Sequence, residues 1–161
     1  MSDEFKMWMP LDISKGTDSK GNRVMIVEGV ASTMSEDMDG EILDPNGFDL
    51  TYLLENGFIN WHHATKDKPG TIIGEPVKAW VKDNKFHIRA QLYDWQPIAH
   101  DVYDLATNLE KGGSNRRLGW SIEGVKRLID PINPKFIRKS AVTGVAITPA
   151  PKKQRYLCKY N

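Results

Sequence analysis

One serine and a pair of histidines are the residues of this chain whose types and spacing could do chemistry. Ser121 lies in the segment LGWSIEG at 118–124, and the histidines end the segment NWHH at 60–63. A serine hydroxyl becomes a useful nucleophile only when a neighbouring base accepts its proton, and histidine is the commonest such base. The sequence therefore predicts a hydrolase with a serine nucleophile, provided that the fold brings the two segments together.

Composition limits the class of protein in which such a site must be built. The chain has 161 residues, of which 40% are hydrophobic and 27% charged, and its formal net charge is +1. These values are typical of one soluble globular domain, and they leave no basic excess to attract nucleic acid. The single cysteine, Cys158, excludes an intrachain disulfide and a multi-cysteine metal site, which suits a reducing cytoplasm. No apolar run approaches the roughly 20 residues that span a bilayer, so no membrane partner is expected.

The elements that must position the serine and the histidines are mostly strands. Runs of apolar and β-branched residues predict strands over 23–32, 58–61, 71–81, 85–93, 119–128 and 137–148. A wide loop or hairpin is predicted at 14–22, and a solvated acidic loop over 36–44.

Helices are fewer. The clearest begins at Pro97 and ends near Lys111, before a glycine pair. Its apolar stripe is formed by Ile98, Val102, Leu105 and Leu109 and is widened by Ala99, Tyr103 and Ala106. A second, short helix over 47–55 would bury Leu50, Leu53 and Leu54.

These elements predict an α+β, mainly β domain: a small closed or partly open β-barrel of about six to seven strands with flanking helices. We expect one domain over 1–161, with an N-terminal strand and acidic loop at 1–57, a catalytic core at 58–151 and a basic tail at 152–161.

The order of the motifs resembles a known family. The chain shows GVAS at 29–32, DGE at 39–41, WHH at 61–63, IG at 73–74, a helix that ends at 112, WSIEG at 120–124 and TGVAITP at 143–149. This succession, which covers about 24–151, resembles the prohead (capsid maturation) proteases of tailed bacteriophages. Those enzymes are similar in fold to the herpesvirus capsid protease, assemblin. The resemblance implies a serine endopeptidase that cleaves scaffold protein, major capsid protein and itself inside the assembling prohead, in the host cytoplasm.

The general base is His63 or His62. Adjacent residues on an extended chain point to opposite faces, so only one of the two is expected to reach Ser121. In the resembling proteases the base ends an apolar strand and precedes a polar loop that leads to an Ile-Gly pair, which favours His63 and leaves His62 as the alternative. A metal site built on the two histidines would have only Asp67 as a nearby carboxylate, so neither a metal nor another cofactor is expected.

The sequence departs from the resembling proteases at the third member of the catalytic triad, the residue that orients the histidine. The phage proteases usually carry an acidic residue in the final strand, but the stretch VTGV at 142–145 has no titratable group. Thr143 could accept a weak hydrogen bond from the histidine, and an acid from elsewhere, such as Asp94 or Glu123, could take the place. Similarity to the herpesvirus enzymes would put the oxyanion-hole amides near Lys152 and Lys153.

Two functional classes follow. The first is the endopeptidase, which forms an acyl-enzyme on Ser121 and has capsid and scaffold proteins as substrates, with self-association as a further expectation. The second is a catalytically inactive capsid-assembly or scaffold-associated module that keeps the fold, a reading motivated by the missing acid beside Thr143. The remaining histidines, His87 and His100, are expected to be structural.

Overall fold

The structure is a computed structural model, and it describes residues 4–17, 20, 21, 23–37, 40–64 and 68–149. Within these ranges the chain forms ten strands and two α-helices. In chain order they are β1 (Glu4–Pro10), β2 (Asp12–Thr17), β3 (Arg23–Ser32), β4 (Ile42–Leu43), β5 (Phe48–Asp49), α1 (Thr51–Asn56), β6 (Ile59–Trp61), β7 (Ile72–Lys82), β8 (Lys85–Leu92), α2 (Pro97–Lys111), β9 (Gly119–Ile129) and β10 (Phe136–Thr148).

All ten strands belong to one sheet, which curls on itself. Its order is β1-β9-β10-β6-β7-β8-β3-β2, and the short strands β4 and β5 add to β10 in parallel. The two end strands are separated in sequence by Leu11 alone, and β1 also packs against β3. The two edges of the sheet therefore approach each other at this bend and produce a half-barrel. The predicted α+β, mainly β fold with a partly open barrel is confirmed.

The concave side of the sheet holds the core because inward side chains alternate along each strand. On β8, Phe86, Ile88, Ala90 and Leu92 are buried and the residues between them are partly exposed. Strand β9, which carries Ser121, and its neighbour β10 add further side chains to this core. These are Trp120 and Ile122 on β9, and Val142, Val145 and Ile147 on β10. Each large apolar side chain of this kind contributes about 1.5–3 kcal/mol when it is fully buried. The core thereby fixes which face of β9 is left for Ser121.

Helix α2 has the predicted bounds, and its buried face matches the predicted stripe except at Leu105. Ala99, Val102 and Ala106 are its buried residues, whereas Leu105, which the pattern placed on the stripe, is 44% exposed. Ile98, Tyr103 and Leu109 are partly buried and pack against the core, as the pattern predicts. No helix in the described part of the chain is long and apolar enough to span a membrane.

Two predictions in the N-terminal part of the chain have wrong bounds. Within the hairpin or wide loop predicted at 14–22, residues 14–17 belong to β2, which pairs antiparallel with β3 from Asp12 to Thr17. Backbone pairing along a sheet edge overrides the polar, turn-like composition there. The helix predicted over 47–55 is only the six residues of α1, preceded by β5. So short a helix buries one side chain, Leu53, and leaves Leu54 48% exposed.

Candidate active site

Ser121 is the third residue of β9 and lies on the face that points away from the core. Its neighbours Trp120 and Ile122 are fully buried in the core, so the alternation of the strand directs the Ser121 hydroxyl to the opposite side. Across the sheet, Ser121 pairs with Ala146 of β10, a residue whose methyl group leaves room above the strand. Ser121 is 3% exposed, so the hydroxyl is nearly enclosed.

The two histidines form a left-handed turn directly after β6. His62 and His63 have φ angles of 56° and 54°. Each non-glycine residue in this region costs about 1–2 kcal/mol, so surrounding contacts must hold the turn. The His62 amide donates to the Ile147 carbonyl at 2.9 Å, and the Ala64 amide donates to the Trp61 carbonyl at 3.1 Å. The assumption that the two histidines alternate on an extended chain is therefore wrong, because the chain has left the strand when it reaches them.

The turn directs the His63 ring across β10 to Ser121. His63 Nε2 lies 2.8 Å from Ser121 Oγ, and Nδ1 lies 3.3 Å from Glu123 Oε1. Nδ1 is buried and makes no hydrogen bond of good angle in the described part of the chain, so the Glu123 carboxylate is its nearest charged group. The tautomer that suits these contacts carries its proton on Nδ1, which leaves Nε2 free to accept the proton of Ser121.

Glu123 reaches His63 because it stands two residues after Ser121 and shares its face of β9. The partner of Glu123 on β10 is Gly144, and the pairing shifts between Val142 and Gly144, which leaves Thr143 as an extra residue in a β-bulge. The Glu123 side chain is 36% exposed, in contrast to 13% for His63. The acidic group beside the histidine thus comes from the serine's own strand and not from the final strand.

The structure does not bring the other two candidates for the third position, Thr143 and Asp94, to His63. The Thr143 hydroxyl donates to the Glu123 carbonyl at 3.5 Å, because the bulge turns this residue outward. Asp94 lies before α2 and pairs at 3.3 Å with His100, which also contacts the Asp94 carbonyl.

His62, the alternative base, points to the end of β10. Its Nδ1 lies 2.5 Å from the Thr148 hydroxyl, which itself donates to the Pro149 carbonyl at 3.0 Å. Since that hydroxyl proton is already used, His62 Nδ1 is the donor in this pair. His62 therefore ties the left-handed turn to β10, and the structure brings His63 but not His62 to Ser121.

The remaining predicted groups divide between described and undescribed residues. Lys152 and Lys153, near which the oxyanion-hole amides were expected, lie outside the described residues, as does Asp67. Within the described ranges no three His, Cys, Asp or Glu side chains cluster in a way that would hold a metal ion.

The fold is similar to that of a solved bacteriophage protein. The chain is similar to the bacteriophage T4 capsid assembly protease, gp21, with a TM-score of 0.65, and the match covers 92% of this chain and 98% of the T4 protein. This chain has the fold of a phage capsid assembly protease. Only 15% of the residues are identical, and no protein-family model and no curated protein matches the sequence. The resemblance to phage prohead proteases that the motifs indicate is confirmed in the fold.

Proposed function

We propose that this protein is a serine endopeptidase of phage capsid assembly, with Ser121 as nucleophile, His63 as general base and Glu123 as the residue that orients the base. The observation that carries the proposal is the order of the three side chains: His63 Nε2 lies 2.8 Å from the Ser121 hydroxyl, and Nδ1 lies 3.3 Å from the Glu123 carboxylate. A buried hydroxyl, an imidazole and a carboxylate in this order are the parts that acyl transfer requires.

The reaction proceeds through an ester on Ser121. Oγ attacks the carbonyl carbon of the scissile peptide bond while its proton passes to His63 Nε2. The imidazolium then gives this proton to the leaving nitrogen, the C–N bond breaks, and the acyl group stays on Oγ. Water next attacks the ester and gives a proton to Nε2, after which Oγ leaves, recovers that proton, and the new carboxyl terminus is released.

Glu123 supports this sequence electrostatically. A carboxylate beside Nδ1 fixes the ring orientation and stabilises the imidazolium that forms when Nε2 takes the proton. The contact of 3.3 Å lacks good hydrogen-bond geometry. Such bonds are often long in a free enzyme and tighten when the substrate binds, so we expect Glu123 to close on the ring during acylation.

The role in capsid assembly rests on the fold. The neighbour in the T4 phage is described as a capsid assembly protease. By this analogy the substrates are the major capsid protein and the scaffold protein, cleavage takes place inside the assembling prohead in the host cytoplasm, and the protease trims itself and self-associates.

The alternative is an inactive capsid-assembly module with the same fold. The near enclosure of Ser121, at 3% exposure, is the observation that favours it, because a substrate must reach this hydroxyl. A nucleophile that no reagent reaches would leave the protein with an assembly role only.

Labelling with a fluorophosphonate distinguishes the serine endopeptidase from the inactive module. The full chain is incubated with the reagent, and peptide mass spectrometry locates the adduct. We expect the adduct on Ser121, its loss in Ser121→Ala, and wild-type labelling in Ser140→Ala, which removes another buried hydroxyl, 1% exposed, on the neighbouring strand. A folded wild-type chain that stays unlabelled, or an adduct that persists in Ser121→Ala, would support the inactive module.

A further inference from the structure

Asn60 lies in the same row of the sheet as Ser121. It is the second residue of β6 and pairs with Ala146 of β10, which pairs in turn with Ser121 of β9. Side chains at directly paired positions share a face, and neighbouring strands are about 4.8 Å apart. The Asn60 side chain therefore emerges on the serine's face, roughly 10 Å from Ser121 between Cα atoms.

The side-chain amide of Asn60 is buried, and only one of its two polar atoms makes a hydrogen bond. The residue is 9% exposed, its Nδ2 donates to the Val145 carbonyl at 3.4 Å, and its Oδ1 is buried without a hydrogen-bond partner. Rotation of the amide by half a turn would place Oδ1 against the Val145 carbonyl, so the observed orientation is the favourable one. A buried acceptor without a partner is rare in folded proteins because it has lost water and gained nothing in exchange.

An extended peptide substrate would supply the missing donor. Its scissile carbonyl must come within roughly 3 Å of Ser121 Oγ, and each further residue advances the chain by about 3.3 Å. A peptide that crosses the strands along this row brings a backbone N–H one to three residues from the scissile bond over Asn60. Main-chain hydrogen bonds of this kind are how proteins commonly hold extended peptides, whatever their side chains.

We propose that Asn60 is a substrate-binding residue whose Oδ1 accepts a hydrogen bond from a backbone N–H of the peptide substrate, within three residues of the cleaved bond. This inference rests on the proposed protease function. It assigns Asn60 to binding of the substrate backbone and gives it no part in the proton transfer between His63 and Ser121.

The test compares two reactions of the same serine. A small fluorophosphonate has no peptide backbone, so its rate of reaction with Ser121 reports the nucleophile and its base. Hydrolysis of fluorescently labelled casein also requires the peptide to bind. In Asn60→Leu, which keeps the shape of the side chain, we expect labelling within twofold of wild type. The kcat/KM for casein should fall about tenfold, through KM.

Two further variants complete the design. Asn60→Asp keeps an acceptor oxygen and should recover most of the wild-type KM. Ser140→Ala removes a buried hydroxyl that also lacks a partner, on β10 away from the row, and should change neither reaction.

Two outcomes would overturn the proposal. An unchanged KM for casein in Asn60→Leu would show that the amide does not bind substrate. A parallel loss of labelling would show that it acts on the serine and histidine instead. Absence of labelling in the wild-type chain is distinguishable from both, since it would refute the protease function on which this inference rests.

Discussion

Gly144 lies directly opposite Glu123 across the β9–β10 pair, and a Cβ atom placed on Gly144 would come within 2.7 Å of Glu123 Oε1. No ordinary Cβ contact is this short, so a side chain at 144 would displace the carboxylate. The absence of a side chain at 144 is what lets Glu123 lie across the strand towards His63. The final strand therefore contributes room for the acid and not the acid itself.

Replacement of Gly144 by Ala should lower activity without unfolding the protein. We expect kcat to fall about tenfold to a hundredfold, because the carboxylate moves away from Nδ1 while Ser121 and His63 keep their contact. The double variant with Glu123→Gln should be no slower than Glu123→Gln alone, since both changes remove one interaction. Additive losses in kcat would show that Gly144 acts in another way.

The single variant Glu123→Gln should have a lower kcat than the wild type. Replacement of the acid by its amide lowers kcat about 10⁴-fold in a fully buried triad. Glu123 is 36% exposed, so we expect a smaller loss, about a hundredfold to a thousandfold. Thr143→Ala and Asp94→Asn should stay within twofold of wild-type kcat. A larger loss in either of these variants than in Glu123→Gln would assign the orienting role elsewhere.

A buried ion pair ties the acidic loop to the serine's strand. Lys126 Nζ lies 2.6 Å from Glu41 Oε2, and the two side chains are 3% and 11% exposed. Glu41→Gln leaves the lysine charge buried, so we expect the free energy of unfolding to fall by about 3–5 kcal/mol in urea titrations. The double variant Glu41→Leu with Lys126→Met should recover most of that loss. A double variant as unstable as the single one would show that the pair itself stabilises the fold.

The turn between β9 and β10 should make stability depend on acid pH. Backbone N–H groups of Asn133 and Ile132, together with Arg138, hold the pKa of Asp130 below its ordinary value. Because the folded-state pKa is the lower one, this carboxylate stabilises the fold above the unfolded-state pKa of about 3.9. The contribution is lost as pH falls through the folded-state pKa.

Asp130→Asn should therefore lower the urea midpoint of unfolding at neutral pH, and the difference from wild type should shrink below about pH 4. Glu110→Gln, on the exposed side of α2, is the matched control and should leave the midpoint unchanged. A difference between Asp130→Asn and wild type that stays constant down to pH 2 would contradict this account.

The sequence predicted the barrel, the boundaries of α2 and the pairing of Ser121 with a histidine, because these depend on local patterns and on the order of the motifs. It could not predict that Glu123 rather than Thr143 or Asp94 approaches the ring. That choice depends on the bulge at Thr143 and on the space above Gly144, which are features of strand pairing. A spacing of two between Ser121 and Glu123 was the available signal, since it places both on one face of a strand.

The left-handed turn at His62 and His63 could not be predicted from the sequence either. Nothing in the sequence WHH predicts two consecutive left-handed residues, because this conformation is uncommon and strained for every residue other than glycine. The turn persists through contacts with Ile147 and Thr148, which lie far away in sequence. Tertiary contacts of this kind decide which of His62 and His63 faces the serine.

The rate at which a fluorophosphonate labels Ser121 in His63→Ala and in His62→Ala tests the central claim most directly. His63→Ala removes the base and should slow labelling by a factor of about 10³ or more. His62→Ala removes only the hydrogen bond to Thr148, so its labelling rate should stay within tenfold of wild type. Thr148→Val removes the same hydrogen bond from the other side and should label at a similar rate. Labelling of His63→Ala at the wild-type rate, or a loss confined to His62→Ala, would contradict the account.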